Sequence, residues 1–225
     1  GLSSLSFTET ALDRAKDTLM RLQELAVTAA SGLSSPEARS QMLSELNNLR
    51  EGLISIGNSN FEGRFIFAGY KTDAEAFDAS GVFQGDANAQ QLKISSSGSV
   101  AIGVNGGDVF SGASGGVNIL QTVADFAAAL ASNDRDGVLS SLTGLENSFN
   151  QVSSVVSDIG GRISRLNAAK EDFSAYRLEV RTKLSEMEDA DITTLISDLK
   201  SNQVALEAAL ASAGKVFSIN IFDYL

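Results

Sequence analysis

The sequence contains neither cysteine nor histidine among its 225 residues. Without cysteine there are no disulfides and no thiolate zinc sites, and the redox compartment stays open. Without histidine the chain lacks the side chain most used for acid–base catalysis near neutral pH, and the commonest transition-metal ligand. Long apolar runs are missing too. Nothing approaches the ~18 unbroken apolar residues that cross a bilayer, and the start carries no basic segment followed by an apolar core and a cleavage site. Neither membrane insertion nor a cleaved export signal is therefore expected. The chain opens on Gly1 rather than Met, as a processed or recombinant fragment would. Positive charge is scarce: 17 Lys and Arg face 28 Asp and Glu, a net charge of -11. The balance argues against nucleic acid, which is bound by displacing counterions with Lys and Arg, and protein partners are expected.

What the chain does have is apolar residues spaced three and four apart over many turns, the mark of amphipathic helices. The first stripe runs Leu5, Thr8, Leu12, Ala15, Leu19, Leu22, Ala26, Ala29 and predicts a helix over 3–31, closed at Gly32. The single proline, Pro36, sits at the start of a second helix, preceded by serines and followed by Glu37 at capping-box spacing. Its stripe is Met42, Leu46, Leu49, Leu53, Ile56 and Asn60, with Gly52 and Gly57 weakening the last turns.

Between Gly63 and Gly116 the texture changes, since this stretch holds 11 of the 20 glycines and its apolar residues fall into short runs. Strands are predicted over 64–68, 91–95 and 99–104, with turns at Ser96-Ser97-Gly98 and Asn105-Gly106-Gly107. This segment is expected to form a small core of its own.

Helical spacing returns after Asn118 in a short piece with Leu120, Val123, Phe126 and Leu130. A longer stripe follows, from Leu142 through Leu145, Val152, Ile159, Leu166, Phe173, Val180 and Leu184 to Met187, with a kink expected at Gly160-Gly161. Plain core is the expectation for this stripe. A last helix is expected to start at Asp189-Ala190-Asp191, capped by either Asp, with Ile192, Ile196, Leu199, Gln203, Leu206, Leu210, Ala213 and Phe217 along one face. A Gln within such a seam and the many flanking alanines favour register selection and close helix approach. The tail carries Phe222, Tyr224 and Leu225. These eleven residues are the candidate assembly interface.

Candidate chemistry elsewhere is weak. Asn133-Asp134-Arg135-Asp136-Gly137 matches part of a calcium loop, but Ser132 and Thr143 occupy the first and twelfth ligand positions, so a helix start capped by Asp is expected instead. Gly103 to Asp108 is glycine-rich but has no lysine and lacks phosphate-loop spacing. The carboxylates of Asp189 and Asp191 are explained by capping. No catalytic, cofactor or metal residue is expected, and no cofactor.

Arg21 to Gly32, reading RLQELAVTAASG, resembles a stretch near the end of the N-terminal helical region of bacterial flagellins and their relatives. Asn58 to Gly69, NSNFEGRFIFAG, is similar to another signature of that family, as are EDADITTLISDLK and the closing FDYL. Gly69-Tyr70-Lys71-Thr72 leading to Phe77, Phe83-Gln84-Gly85-Asp86 and Gly107-Asp108-Val109-Phe110 are more like the hook-associated branch, at the hook-filament junction, than like filament flagellin. The resemblance implies a mainly α fold, a long antiparallel helix bundle or coiled coil with a small inserted β domain. Three parts are expected: a helical rod from 1–62 plus 118–190, a β-rich insert at 63–117, and an assembly helix at 191–225. It also implies a structural role without catalysis, export through the flagellar type III apparatus, and an extracellular place in the flagellum. Implied partners are further copies of itself in a ring, the neighbouring hook-associated protein, flagellin and an export chaperone. A further N-terminal helical segment that pairs with the C-terminal one is implied and is not found in this sequence. Filament flagellin and a generic coiled-coil adaptor are the alternatives.

Overall fold

The computed structural model of the chain describes residues 1–31 and 35–219. These form two compact units, residues 1–169 and 170–225, and the predicted mainly α architecture holds. In the first unit, helix α1 (Leu2–Ala30) buries Leu5, Thr8, Leu12, Ala15, Leu19, Leu22 and Ala26, the stripe read from its spacing. The one polar member is satisfied locally, Thr8 Oγ1 donating to the Ser4 carbonyl at 2.8 Å. The expected closure at Gly32 lies outside the described residues. Helix α2 (Pro36–Gly57) starts where Ser35 accepts from the Ala38 N–H at 3.2 Å. A reciprocal capping box does not form, because Glu37 is one position too early in the helix for it. Its carboxyl is instead held below the usual range by its own N–H and by the Ser35 hydroxyl.

The insert begins with a hairpin that the spacing did not reveal, strand β1 (Asn60–Phe61) against β2 (Arg64–Phe65). Its two-residue turn has positive φ at both Glu62 (53°) and Gly63 (81°), the geometry that follows the right-handed twist of paired strands. The predicted strand at 64–68 therefore ends early, and Phe67 and Ala68 turn into the core. Strands β3 (Gln91–Lys93) and β4 (Ser99–Ala101) pair with Leu92 opposite Val100, shorter than expected but joined through the predicted Ser96-Ser97-Gly98 turn, where the Gly98 N–H donates to the Ser95 hydroxyl. Asn105-Gly106-Gly107 is not a simple turn: Asn105 caps the short helix α3 (Gly106–Phe110) by accepting from the Gly107 N–H at 2.8 Å.

The insert does not have a core of its own. Phe77 stacks edge-on against Phe110 and tilted against Phe83, and Phe110 meets Phe67, all with centroids 5.3–5.6 Å apart. The same Phe77 lies on α2, where a Cβ at Gly57 would stand 2.7 Å from its ring. The next residue, Asn58, brackets the Phe77 backbone, donating to its carbonyl at 2.7 Å and accepting from its N–H at 2.8 Å. These aromatics belong to one continuous cluster with the helix residues.

Helix α4 (Ile119–Ser132) is capped by Asn118 and closed by Asn133 at φ 56°. Asp134 then accepts from the Gly137 N–H at 3.1 Å and opens α5 (Arg135–Ile219), as the Asp-capped start predicted. Within the first unit α5 buries Val138, Leu145, Val152, Ile159 and Leu166, a strict seven-residue repeat. It runs antiparallel to α1: Arg135 donates to the Ala30 carbonyl, Gln23 to the Leu145 carbonyl, and Lys16 sits over the Phe149 ring. The expected helix start at Asp189-Ala190-Asp191 is absent: one helix runs through it, and through Gly160-Gly161, over 85 residues.

Candidate assembly surface

From Lys170 to Val216 every side chain that is described is exposed. The expected site residues Ile192, Ile196, Leu199, Leu206 and Leu210 stand open to solvent, Leu199 by 68%, and Gln203 and Ala213 are exposed with them. Helical spacing brings them to one face of α5. Phe217 lies in the same helix, while Phe222, Tyr224 and Leu225 are outside the described residues.

One expectation about the long stripe is overturned. Phe173, Tyr176, Val180, Leu184 and Met187, predicted as core, are exposed by 45% or more. The reason lies in the register of α5 against α1. The residues paired across α1 and α5, Ala30 with Arg135 and Gln23 with Leu145, have numbers adding to between 165 and 168. Leu2 therefore falls opposite about residue 165, and Leu166 is the last buried side chain among those described on α5. Leu195, which flanks the predicted seam, is exposed as well, and Leu178, Val204 and Val216 are exposed on other faces of the helix.

The helix holds its own backbone together while its apolar face is open. Lys183 pairs with Glu179 one turn earlier at 2.8 Å, and the hydroxyls of Ser174, Thr182 and Ser212 each donate to the carbonyl four residues back. The apolar spacing slips once: from Met187 to Ile192 is five residues, one more than the alternation of three and four allows. That slip, with the paired acids beside it, is what made the sequence look like two helices.

Among the described residues no three of His, Cys, Asp and Glu group as metal ligands, and no helix is long and apolar enough to cross a membrane. A cavity of about 440 Å³ beside the β1–β2 turn is lined by Ser4, Phe61, Arg64, Ile102 and Val104, with Glu62 as a carboxylate in its lining. The lowered carboxyl pKa values belong elsewhere. Asp78 is held down by the N–H of Val82 and then that of Ser80, and Asp86 by the N–H of Asn88 and then that of Tyr70, so both are fastening loops.

The ends of the chain match known families where this geometry is most regular. Residues 1–72 match the bacterial flagellin N-terminal helical region and residues 142–225 the bacterial flagellin C-terminal helical region. The chain belongs to the bacterial flagellin family. Within this family it is similar to flagellar hook-associated protein 3 of Salmonella typhimurium, 26% identical over 97% of this chain and 76% of that protein. Two solved structures share the fold. A putative flagellar hook-associated protein from Vibrio parahaemolyticus has a TM-score of 0.73 at 24% identity, covering 80% of this chain and 84% of that one. The flagellar junction protein FlgL from Legionella pneumophila has a TM-score of 0.65 at 16% identity, covering 77% and 89%. The three segments that set this flagellin-family chain nearer the hook-associated branch supply Phe77, Phe83 and Phe110, the aromatic cluster that fastens the insert to α2.

Proposed function

We propose that this chain is a structural junction component of the bacterial flagellum, joining hook to filament through packing of its helical ends, and not an enzyme. The observation that carries the reading is the open apolar face of α5 from Phe173 to Val216 in a chain of the flagellin family. Such a face supports a part that is completed only by its neighbours. Its assembly interface is taken to be Ile192, Ile196, Leu199, Gln203, Leu206, Leu210, Ala213 and Phe217, with Phe222, Tyr224 and Leu225 beyond them. Further copies of itself in a ring, a neighbouring hook-associated protein, flagellin and an export chaperone are its partners. It works outside the cell and leaves without a cleaved signal peptide.

Deleting the gene and imaging the cells tests this reading. Hooks that carry no filament, with flagellin shed into the medium, are the expected result. Cells that lose flagellin itself identify filament flagellin instead, and normal filaments overturn both.

A further inference from the structure

Asn105-Gly106 is the one Asn-Gly pair in the sequence. Asparagine followed by glycine is the pairing most prone to deamidation, because glycine has no Cβ to obstruct attack of its own nitrogen on the asparagine side chain. The fold nevertheless requires both residues. Asn105 accepts from the Gly107 N–H at 2.8 Å and so caps α3, and a Cβ at Gly106 would stand 2.8 Å from the Phe67 carbonyl oxygen and 2.9 Å from the Phe67 Cβ. The same contacts keep the reacting groups engaged elsewhere. The Gly106 N–H donates to the Phe67 carbonyl at 2.9 Å, the Asn105 side chain is fixed on Gly107, and Asn105 is 8% exposed.

We propose that Asn105 is a deamidation site gated by folding, closed in the folded chain, open whenever the insert unfolds, and converted there into a residue on which the insert cannot close again. In the unfolded segment a base removes the Gly106 amide proton, and the nitrogen attacks Asn105 Cγ. A C–N bond forms, the side-chain amide leaves as ammonia after taking a proton from water, and a cyclic succinimide remains. Water then opens the ring. Cleavage of the new bond at Cγ leaves aspartate, whereas cleavage at the main-chain carbonyl leaves isoaspartate, whose backbone runs through Cγ and is longer by a carbon atom. The fold treats the two products differently. Aspartate keeps an oxygen for the Gly107 N–H at the start of α3, where a carboxylate also serves as a cap. Isoaspartate displaces Gly106 from its close seat on Phe67 and breaks the backbone bridge between Ala68 and Asn105. The site thus records time spent unfolded, whatever the chain assembles with.

Peptide mapping by mass spectrometry on the full chain tests the gate, in mildly alkaline buffer with and without denaturing urea. Deamidation at Asn105 should be slower by at least about a hundredfold in the folded chain, because the insert must open before the Gly106 nitrogen is released. Chain held in urea and then returned to buffer tests the consequence. Its refolding yield should fall with the time spent in urea. Isoaspartate at position 105 should collect in the fraction that does not regain the native melting transition, and aspartate should be found in the native fraction. Asn105→Ser keeps a capping oxygen and has no carbonyl to attack, so its refolding yield should not decay with time. The wild-type measurements stand even if this variant folds poorly. Equal rates with and without urea, isoaspartate in the native fraction, or an Asn105→Ser chain whose yield decays as fast as that of the wild type would overturn the proposal.

Discussion

Gly57 and Asn58 show how two small features of sequence decide where the insert sits. Gly57 looked like a weak point in a helix. It is the place where the Phe77 ring meets α2, and a Cβ there would stand 2.7 Å from that ring. Gly57→Ala should therefore cost about 1–3 kcal/mol in chemical denaturation, because the close approach cannot relax without moving Phe77. Gly52→Ala is the control. A Cβ there meets nothing within 4 Å, so the same change should stabilise the helix by about 0.5–1 kcal/mol. Equal effects at the two positions would contradict this packing. Asp78 and Asp86 add a pH dependence. Each has a folded pKa below the usual 3.8 because backbone N–H groups stabilise the carboxylate. The unfolded chain thus takes up protons first, so this stabilisation is complete above the unfolded value and is lost as pH falls through the lower, folded one. The urea midpoint should be flat from neutral pH to about pH 5 and fall below it, and Asp78→Asn should lower the neutral midpoint while reducing the acid fall. An acid limb unchanged by that substitution would remove Asp78 from the account.

At the scale of elements, the helical stripes were legible, and the insert was legible only in its β3–β4 pair. Residues such as Leu12, Leu19, Val123, Phe126, Leu145 and Ile159 declare their helices because one buried face recurs at the helical period. The insert hides its order in side chain to backbone bonds. Gln151 of α5 donates to the carbonyls of Val109 and Val117 and accepts from the Val117 N–H, and Arg162 donates to the carbonyls of Ala101 and Gly103. No periodicity announces such bonds. Their consequence is that the insert is a structural part of the first unit. A core of its own would let residues 72–115 be replaced by a flexible linker with the helices left intact. The replacement should instead strip Phe77, Val100, Val109 and Phe110 from the shared core and lower the melting temperature of α1, α2 and α4 by circular dichroism. A truncated chain melting at the original temperature would restore the idea of a separate insert core.

For the whole molecule, sequence periodicity identified the apolar face of α5 but could not say which part of it the first unit buries. Leu145 and Leu184 look alike in the pattern, and only the register against α1 separates the buried residue from the exposed one. Substitutions should separate them too. Leu145→Ala should cost about 2–5 kcal/mol in the isolated chain, whereas Leu206→Asp should leave its melting unchanged and abolish incorporation into flagella. The most direct test of an assembly surface on α5 is native-state hydrogen exchange on dilute, monomeric chain. Amides at 159–166, inside the packed unit, should exchange at least a hundredfold more slowly than those at 199–210, whose helix lacks tertiary cover, a difference of about 2.7 kcal/mol in opening free energy. Equal protection in the two segments would mean that the C-terminal helix already belongs to the monomer's core, and would contradict the account.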